Sequence, residues 1–112
     1  MKIQIKKNEQ GLDVVEMDGE LDFHSSPAVR NELSKLTDRQ TPKVLVDLQK
    51  VNYIDSSGLA TFVELFQKMK RHGGILVLCN LTQGVRSVFE IAKLDTIFKL
   101  AASQKEALSL IG

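Results

Sequence analysis

The sequence predicts an α/β fold with a mixed central β-sheet and about four α-helices. Short runs have the alternating or continuous apolar pattern of strands, and longer segments have apolar residues every three or four positions, as helices do. The two kinds of segment alternate along the chain. This alternation gives the element order β-β-α-β-α-β-α-β-α, which implies a mixed sheet with helices packed against it. Because 112 residues fit one domain with one sizeable core, and no linker or repeat divides the chain, we expect residues 1–112 to form a single domain.

The predicted strands are short and bounded by polar residues. They cover residues 2–7, 12–18, 43–48, 75–79 and 96–100. The first two lie on either side of a turn at residues 8–11 and are expected to form a hairpin. The third and fourth are nearly continuous apolar runs, which is typical of strands buried on both faces of a sheet. Cys79, at the end of the fourth strand, is therefore expected to be a small buried hydrophobe.

The predicted helices are marked by apolar periodicity and by their ends. They cover residues 26–37, residues 56–71, a segment around 85–89 and a last segment after Ser103. The first begins at Ser25-Ser26-Pro27, which offers a hydroxyl cap and a proline at the first helical position. The second has the clearest apolar stripe in the chain and a glycine stop at Gly73-Gly74. The last begins with a capping box, because Glu106 follows Ser103 by three residues.

Composition and charge exclude several classes of function. With 15 Lys+Arg against 14 Asp+Glu, the net charge is +1, so we expect no direct nucleic-acid partner. No apolar run approaches the ~20 residues of a membrane span, and residues 1–7 do not form a signal peptide, so we expect a cytoplasmic protein without a membrane partner. One cysteine and two histidines cannot build a Cys/His zinc site, and no metal or cofactor is expected. The charged, patch-free pattern predicts a monomer when free.

Two aspartates follow neighbouring strands of the predicted sheet. Strand 12–18, helix 26–37 and strand 43–48 form a βαβ unit, whose strands run parallel because the crossover is right-handed. The carboxyl ends of the two strands then lie at the same edge, so we expect Asp22 and Asp55 to be spatial neighbours. Open α/β sheets usually place their functional groups at that edge.

Ser56 lies in the first turn of the helix over 56–71 and is a candidate modification site. Backbone N–H groups of a first turn lack helical partners and the helix dipole favours negative charge, so a phosphate on Ser56 would be tolerated there. The phosphate would face Asp22 and Asp55 with no Lys or Arg close in sequence, so it would change the surface charge without being held by an ion pair. Taken alone, however, Asp-Ser-Ser-Gly is more often a plain helix cap.

Four segments occur in the order of a known family. They are Gly19–Asp22, Val46–Leu48, Tyr53–Leu59 and Gly73-Gly74. Together they resemble the STAS domain, and more narrowly the bacterial anti-sigma factor antagonists, over essentially the whole chain. The resemblance implies a cytoplasmic domain that, unmodified, binds a serine-kinase anti-sigma factor of the GHKL type and so releases a sigma factor. It also implies that the kinase breaks this complex by phosphorylating a serine at the start of the second helix, and that a PP2C-type phosphatase reverses the step.

The resemblance assigns roles to individual residues. By position, the phosphoacceptor is Ser56. The expected partner-binding residues are Asp22, His24, Asp55, Ser57 and Gly58. Asp22 is expected to position the Ser56 hydroxyl or to contact the kinase, and Gly58 to let the partner's backbone approach closely. Phe23 and His24 occupy loop positions without a fixed family residue and are expected to tune partner choice.

Other functions fit the residues less well. A hydrolase triad of Ser56, His24 and Asp22 would lack a Gly-x-Ser-x-Gly elbow and an oxyanion loop, so we expect no enzymatic activity. A phospho-acceptor receiver domain would carry further acids after its first strand and a lysine after its fifth, and neither is present. A non-switching STAS subunit of a lipid ABC transport or stressosome-like complex stays open as the alternative. Asp47 is interpreted as a strand-end residue that bonds nearby backbone, and a role at the sheet edge also stays open.

Overall fold

The computed structural model describes residues 1–7 and 11–111, and in them the elements follow the predicted order. The strands are β1 (Lys2–Lys7), β2 (Leu12–Leu21), β3 (Lys43–Ile54), β4 (Ile75–Cys79) and β5 (Lys99–Ala101). The helices are α1 (Ser26–Asp38), α2 (Ser56–Arg71), α3 (Gln83–Ile91) and α4 (Gln104–Ile111). Residues 8–10 of the predicted hairpin turn lie outside the described residues.

The strands form one mixed sheet in the order β1-β2-β3-β4-β5. β1 pairs antiparallel with β2, as the predicted hairpin requires. The other neighbouring strands pair parallel, because each is connected to the next through a helix. The predicted βαβ unit of β2, α1 and β3 is therefore confirmed, and the carboxyl ends of β2 and β3 lie at one edge.

β3 is longer than predicted and is bulged against β2. Glu16 pairs with Asp47, but the next pair joins Asp18 to Lys50, so β3 carries an extra residue at this point. A second shift occurs between Gly19 and Glu20 of β2. Each bulge breaks the alternation of side chains, and the exposed polar residues that follow look like a strand end in the sequence. For this reason the predicted end of β3 at residue 48 is six residues too early. β2 likewise continues beyond its predicted end at residue 18, to Leu21.

The start of β5 also differs from the prediction. Thr96 lies in a turn, because its hydroxyl donates to the carbonyl of Lys93 at 3.0 Å. The backbone N–H groups of Ile97 and Phe98 both donate to the carbonyl of Leu94 at 3.0 Å. Local hydrogen bonds thus hold the segment before Lys99 in turns, and only the last part of the apolar run joins the sheet.

Helices cover the two faces of the sheet unequally. The larger core packs α1, α2 and α3 on one face, and its largest fully buried side chains include Phe62, Phe89, Leu36 and Met17. The opposite face carries α4 alone among the described helices, with Ala107 and Ile111 against alternate residues of the strands. Because a fully buried large apolar side chain stabilises by about 1.5–3 kcal/mol, the larger core dominates the stability of the fold.

The helix ends agree with the sequence in part. α2 begins at Ser56 as predicted, and the N–H groups of Gly73 and Gly74 donate to carbonyls of its last turn. In α4, the Ser103 hydroxyl accepts from the N–H of Glu106 at 3.1 Å, as a capping box requires. The predicted hydroxyl cap of α1 is wrong, because Ser25 makes no side-chain cap bond and its hydroxyl donates to the carbonyl of Glu20 at 2.8 Å.

Candidate functional site

The candidate site lies where β2 and β3 end side by side. Leu21 and Ile54, the last residues of the two strands, are paired in the parallel register. The next residues are Asp22 and Asp55, and the N–H of Asp55 donates to the carbonyl of Leu21 at 3.2 Å. The predicted proximity of the two aspartate segments is therefore confirmed.

Asp55 joins two elements through its two carboxylate oxygens. Oδ1 accepts from the backbone N–H of Gly58 at 3.1 Å, which caps the first turn of α2. Oδ2 accepts from the backbone N–H of Phe23 at 3.0 Å, in the loop between β2 and α1. The simple cap suggested by the sequence is thus present, and the same side chain also fixes the neighbouring loop to the start of α2.

The loop between β2 and α1 is closed by hydrogen bonds of its own. Oδ1 of Asp22 accepts from the N–H groups of His24 at 2.9 Å and Ser25 at 3.0 Å. The Ser25 hydroxyl accepts from the N–H of Asp22 at 3.0 Å. The carbonyl of Asp22 accepts from the N–H of Ser26 at 2.9 Å, at the start of α1. These contacts fix the backbone of the loop.

The same contacts stabilise the ionised form of Asp22. The backbone N–H of Ser25 lowers the pKa of Asp22 below its ordinary value of 3.8, against the opposing effect of desolvation, and the N–H of His24 lowers it further. Because the folded-state pKa is depressed, the contribution to stability is present above the ordinary pKa and is lost as the pH falls through the lower value. The loop therefore keeps its charge at neutral pH.

Ser56 and Ser57 differ in their surroundings. Ser56 is exposed at the first position of α2, and its hydroxyl makes no hydrogen bond within residues 1–7 and 11–111. Ser57 is half-buried, and its carbonyl accepts from the Thr61 hydroxyl at 3.0 Å. Asp22 bonds its own loop and does not position the Ser56 hydroxyl, which corrects one of the two roles expected for that carboxylate. The accessible hydroxyl of the pair is that of Ser56.

Gly58 is needed inside the domain. A Cβ atom at this position would lie 2.6 Å from Cγ1 of Ile54 and 2.7 Å from the carbonyl oxygen of Leu21. Gly58 is itself buried, because the first turn of α2 packs directly on the ends of β2 and β3. The expectation that Gly58 makes room for a partner's backbone is therefore corrected, since the protein's own strands occupy that space.

Phe23 and His24 are exposed at the tip of the fixed loop. Phe23 is 71% exposed, although its side chain is large and apolar. The two rings meet edge to face with their centroids 5.3 Å apart. The sequence had placed both residues in a loop, but nothing in it indicated that the backbone beneath them is held by Asp22 and Asp55.

Asp47 lies away from this edge, within β3. It is buried, and its carboxylate accepts from the side-chain amides of Asn80 at 3.2 Å and Gln104 at 2.7 Å and from the N–H of Gln49 at 2.9 Å. The strand-end interpretation is therefore wrong in position, although its bond to nearby backbone is correct. These contacts tie α4 to the sheet.

Cys79, the last residue of β4, is buried in the apolar cluster that α4 covers. Burial, and then the charges of Asp47 and Glu16, raise the pKa of the Cys79 thiol to about 12. The side chain is fully buried, as predicted for a small hydrophobe. A protonated, buried thiol is a poor nucleophile.

Neither a metal site nor a membrane-spanning helix is present in the part of the chain that the structure describes. Across residues 1–7 and 11–111, no three side chains from His, Cys, Asp and Glu are grouped so that they could hold a metal ion. In the same part of the chain, no helix has both the length and the apolar character needed to cross a membrane.

The family model of the STAS domain matches residues 3–107. The chain is 33% identical over 105 residues to the anti-sigma-B factor antagonist of Bacillus subtilis strain 168, with 94% of each protein covered. The chain belongs to the STAS domain family, among the anti-sigma factor antagonists. Solved structures of this family have the same fold. An anti-sigma factor antagonist from Mycobacterium paratuberculosis superimposes with a TM-score of 0.90 at 22% identity, covering 98% of this chain and 92% of that one.

A second structural relative has been solved in two states of modification. The Bacillus cell fate determinant SpoIIAA matches in its phosphorylated form with a TM-score of 0.76 at 20% identity, covering 99% of this chain and 100% of that one. Its unphosphorylated form matches with the same TM-score and identity, covering 98% and 97%. The STAS fold is thus compatible with both forms of that protein.

Proposed function

We propose that this STAS domain is an anti-sigma factor antagonist whose binding is switched by phosphorylation of Ser56. In its unmodified form it binds a serine-kinase anti-sigma factor and so releases a sigma factor for transcription. The observation that carries the proposal is the exposed Ser56 hydroxyl, unbonded within the described residues, at the start of a helix that Asp55 fixes to an acidic loop. The name of the Bacillus subtilis relative supports the same function.

The switch follows from the charges around Ser56. A phosphate adds about −1.5 to −2 charge. The dipole of α2 stabilises a negative charge at its start by about 0.3–1 kcal/mol, so the fold survives. Neither the loop of Asp22–Ser26 nor the first turn of α2 contains a Lys or Arg. A partner surface that fits a neutral hydroxyl beside carboxylates would meet a dianion without a neutralising group, and both repulsion and desolvation oppose contact.

The partners follow from this function. The anti-sigma factor is expected to be a kinase of the GHKL type, and a PP2C-type phosphatase removes the phosphate. Asp22, His24, Asp55 and Ser57 provide the contact surface. The bond from the N–H of Phe23 to Asp55 supports this, because it holds the loop of Asp22 and His24 against the residue before Ser56. The protein acts in the cytoplasm as one domain, monomeric when free, and binds neither nucleic acid nor membrane. It works by binding and not by catalysis, a role that the name of the Bacillus subtilis antagonist supports.

The proposal predicts the behaviour of variants at the two serines. Purified kinase anti-sigma factor from the same organism should bind the unmodified chain, and its dissociation constant should rise about 100-fold or more for the phosphorylated chain. Ser56→Ala should bind and resist phosphorylation, and Ser56→Asp should bind poorly. Ser57→Ala is the matched control, which should still accept one phosphate. Titration calorimetry measures binding, and intact mass with peptide mapping locates the phosphate.

Two outcomes would contradict the proposal. A phosphate found on Ser57 with Ser56 bare would show that the site assignment is wrong. Equal affinity of the kinase for the bare and phosphorylated chains would exclude the switch, and would favour the non-switching subunit of a larger assembly.

A further inference from the structure

Phe23 exposes a large apolar side chain to solvent and is not part of the hydrophobic core. The residue is 71% exposed, and its ring contacts the ring of its exposed neighbour His24. A single exposed apolar residue is common on protein surfaces and needs no explanation by itself. What distinguishes Phe23 is the backbone that carries it.

Every backbone N–H from residue 22 to residue 26 is paired. The N–H groups of this loop donate to the side chains of Asp22, Ser25 and Asp55 and to the carbonyl of Asp22. Pro27, which follows, has no N–H. The loop is therefore ordered before any partner arrives, so fixing Phe23 in a complex costs little additional backbone entropy.

The loop is also held against the proposed phosphorylation site. The N–H of Phe23 lies 3.0 Å from Oδ2 of Asp55, the residue directly before Ser56. A protein interface of standard size buries about 800 Å² on each partner, which extends well beyond one serine and its neighbours. A kinase seated over Ser56 therefore covers Phe23 as well.

An acidic hollow adjoins the same loop. It is open to solvent, has a volume of about 490 Å³, and is lined by Met1, Glu20, Asp22, His24 and Ser25. The carboxylates of Glu20 and Asp22 outnumber the one amino group, that of Met1, among its lining residues, so the hollow favours a cationic side chain over an anionic one. An exposed aromatic ring beside an acidic hollow fits a partner surface with an apolar pocket and a Lys or Arg at its rim.

We propose that Phe23 is the anchor residue with which this chain selects its anti-sigma factor. Its ring enters an apolar pocket of the kinase, and a cationic side chain of the kinase lies in the hollow beside Glu20 and Asp22. The inference rests on the proposed function and deepens it, because it names the residue that determines specificity at the same surface.

The test compares truncation of Phe23 with truncation of a second exposed apolar residue. Ile97 is 51% exposed and lies beside the last turn of α2, at the opposite end of that helix from Ser56. With the purified kinase anti-sigma factor of the same organism, Phe23→Ala should raise the dissociation constant about 30-fold, and Ile97→Ala by less than about twofold. In the phosphorylation reaction, Phe23→Ala should raise KM and leave kcat unchanged, because an anchor binds substrate and transition state equally.

The outcomes separate the anchor from the proposed function. If the wild type binds, Ser56→Asp does not, and Phe23→Ala binds within twofold of wild type, the anchor is overturned and the switch stands. Equal losses in Phe23→Ala and Ile97→Ala would overturn the anchor too, since the effect would not be specific. If the wild-type chain does not bind the kinase, both the proposed function and the anchor role of Phe23 are wrong. Unchanged thermal unfolding of Phe23→Ala would exclude misfolding as the cause of its loss.

Discussion

At Asp55, each carboxylate oxygen accepts from a different element, one from the first turn of α2 and one from the loop before α1. Gly58 has a comparable double role, because the turn that it belongs to is both capped by Asp55 and packed on Leu21 and Ile54. At the scale of the residue, the position of the Ser56 hydroxyl therefore depends on neighbours that do not touch it.

Gly58→Ala should destabilise the fold by about 1–3 kcal/mol, because the added Cβ must displace a backbone carbonyl and a side chain already in contact. Gly84→Ala is the matched control, since Gly84 too lies in the first turn of a helix but has open space where the added Cβ would lie. The control should be neutral or slightly stabilising. Urea unfolding measures both free energies, and equal stability of the two variants would contradict the packing role of Gly58.

At the scale of the element, the fold and the proximity of the two aspartate segments could be predicted, but the detailed contacts between elements could not. Strand and helix periodicities predict the element order, and the right-handed crossover predicts that Asp22 and Asp55 meet. The bulges of β3 and the hydrogen-bonded loop depend on contacts between segments far apart in sequence, such as that of Phe23 with Asp55. No local pattern encodes such contacts, so the end of β3 predicted from the sequence is too early.

Asp55→Asn should separate the two functions of the carboxylate. Asparagine is as good an N-cap as aspartate, but its amide supplies only one oxygen, so it keeps the bond to Gly58 and loses the one to Phe23. Hydrogen exchange at the Phe23 amide should become faster, with nearly unchanged unfolding free energy. Asp55→Ala should lose both bonds and about 1 kcal/mol of stability. Unchanged exchange at Phe23 in Asp55→Asn would show that this carboxylate does not hold the loop.

At the scale of the whole molecule, the two faces of the sheet have different tasks. The face covered by α1, α2 and α3 holds the larger core and leads to the edge that carries Ser56. The other face is covered by α4 among the described helices, partly through apolar contacts and partly through the buried carboxylate of Asp47. A substitution on the face covered by α4 should therefore change the free energy of unfolding without changing the affinity for a partner at the edge that carries Ser56.

Gln104→Ala tests this separation. Gln104 begins α4, and its side-chain amide donates to Asp47 at 2.7 Å and to Glu16 at 3.4 Å. Its removal leaves the buried carboxylate of Asp47 with fewer donors, so the free energy of unfolding should fall by about 1–3 kcal/mol. Gln83→Ala is the matched control. Gln83 begins α3, its side-chain amide makes an exposed bond to the Ser87 hydroxyl at 3.3 Å, and its replacement should stay within about 0.5 kcal/mol. Both variants should bind the kinase anti-sigma factor with wild-type affinity at temperatures where they are folded. A folded Gln104→Ala variant that binds more than tenfold weaker would show instead that α4 and the Ser56 edge are energetically coupled through β3.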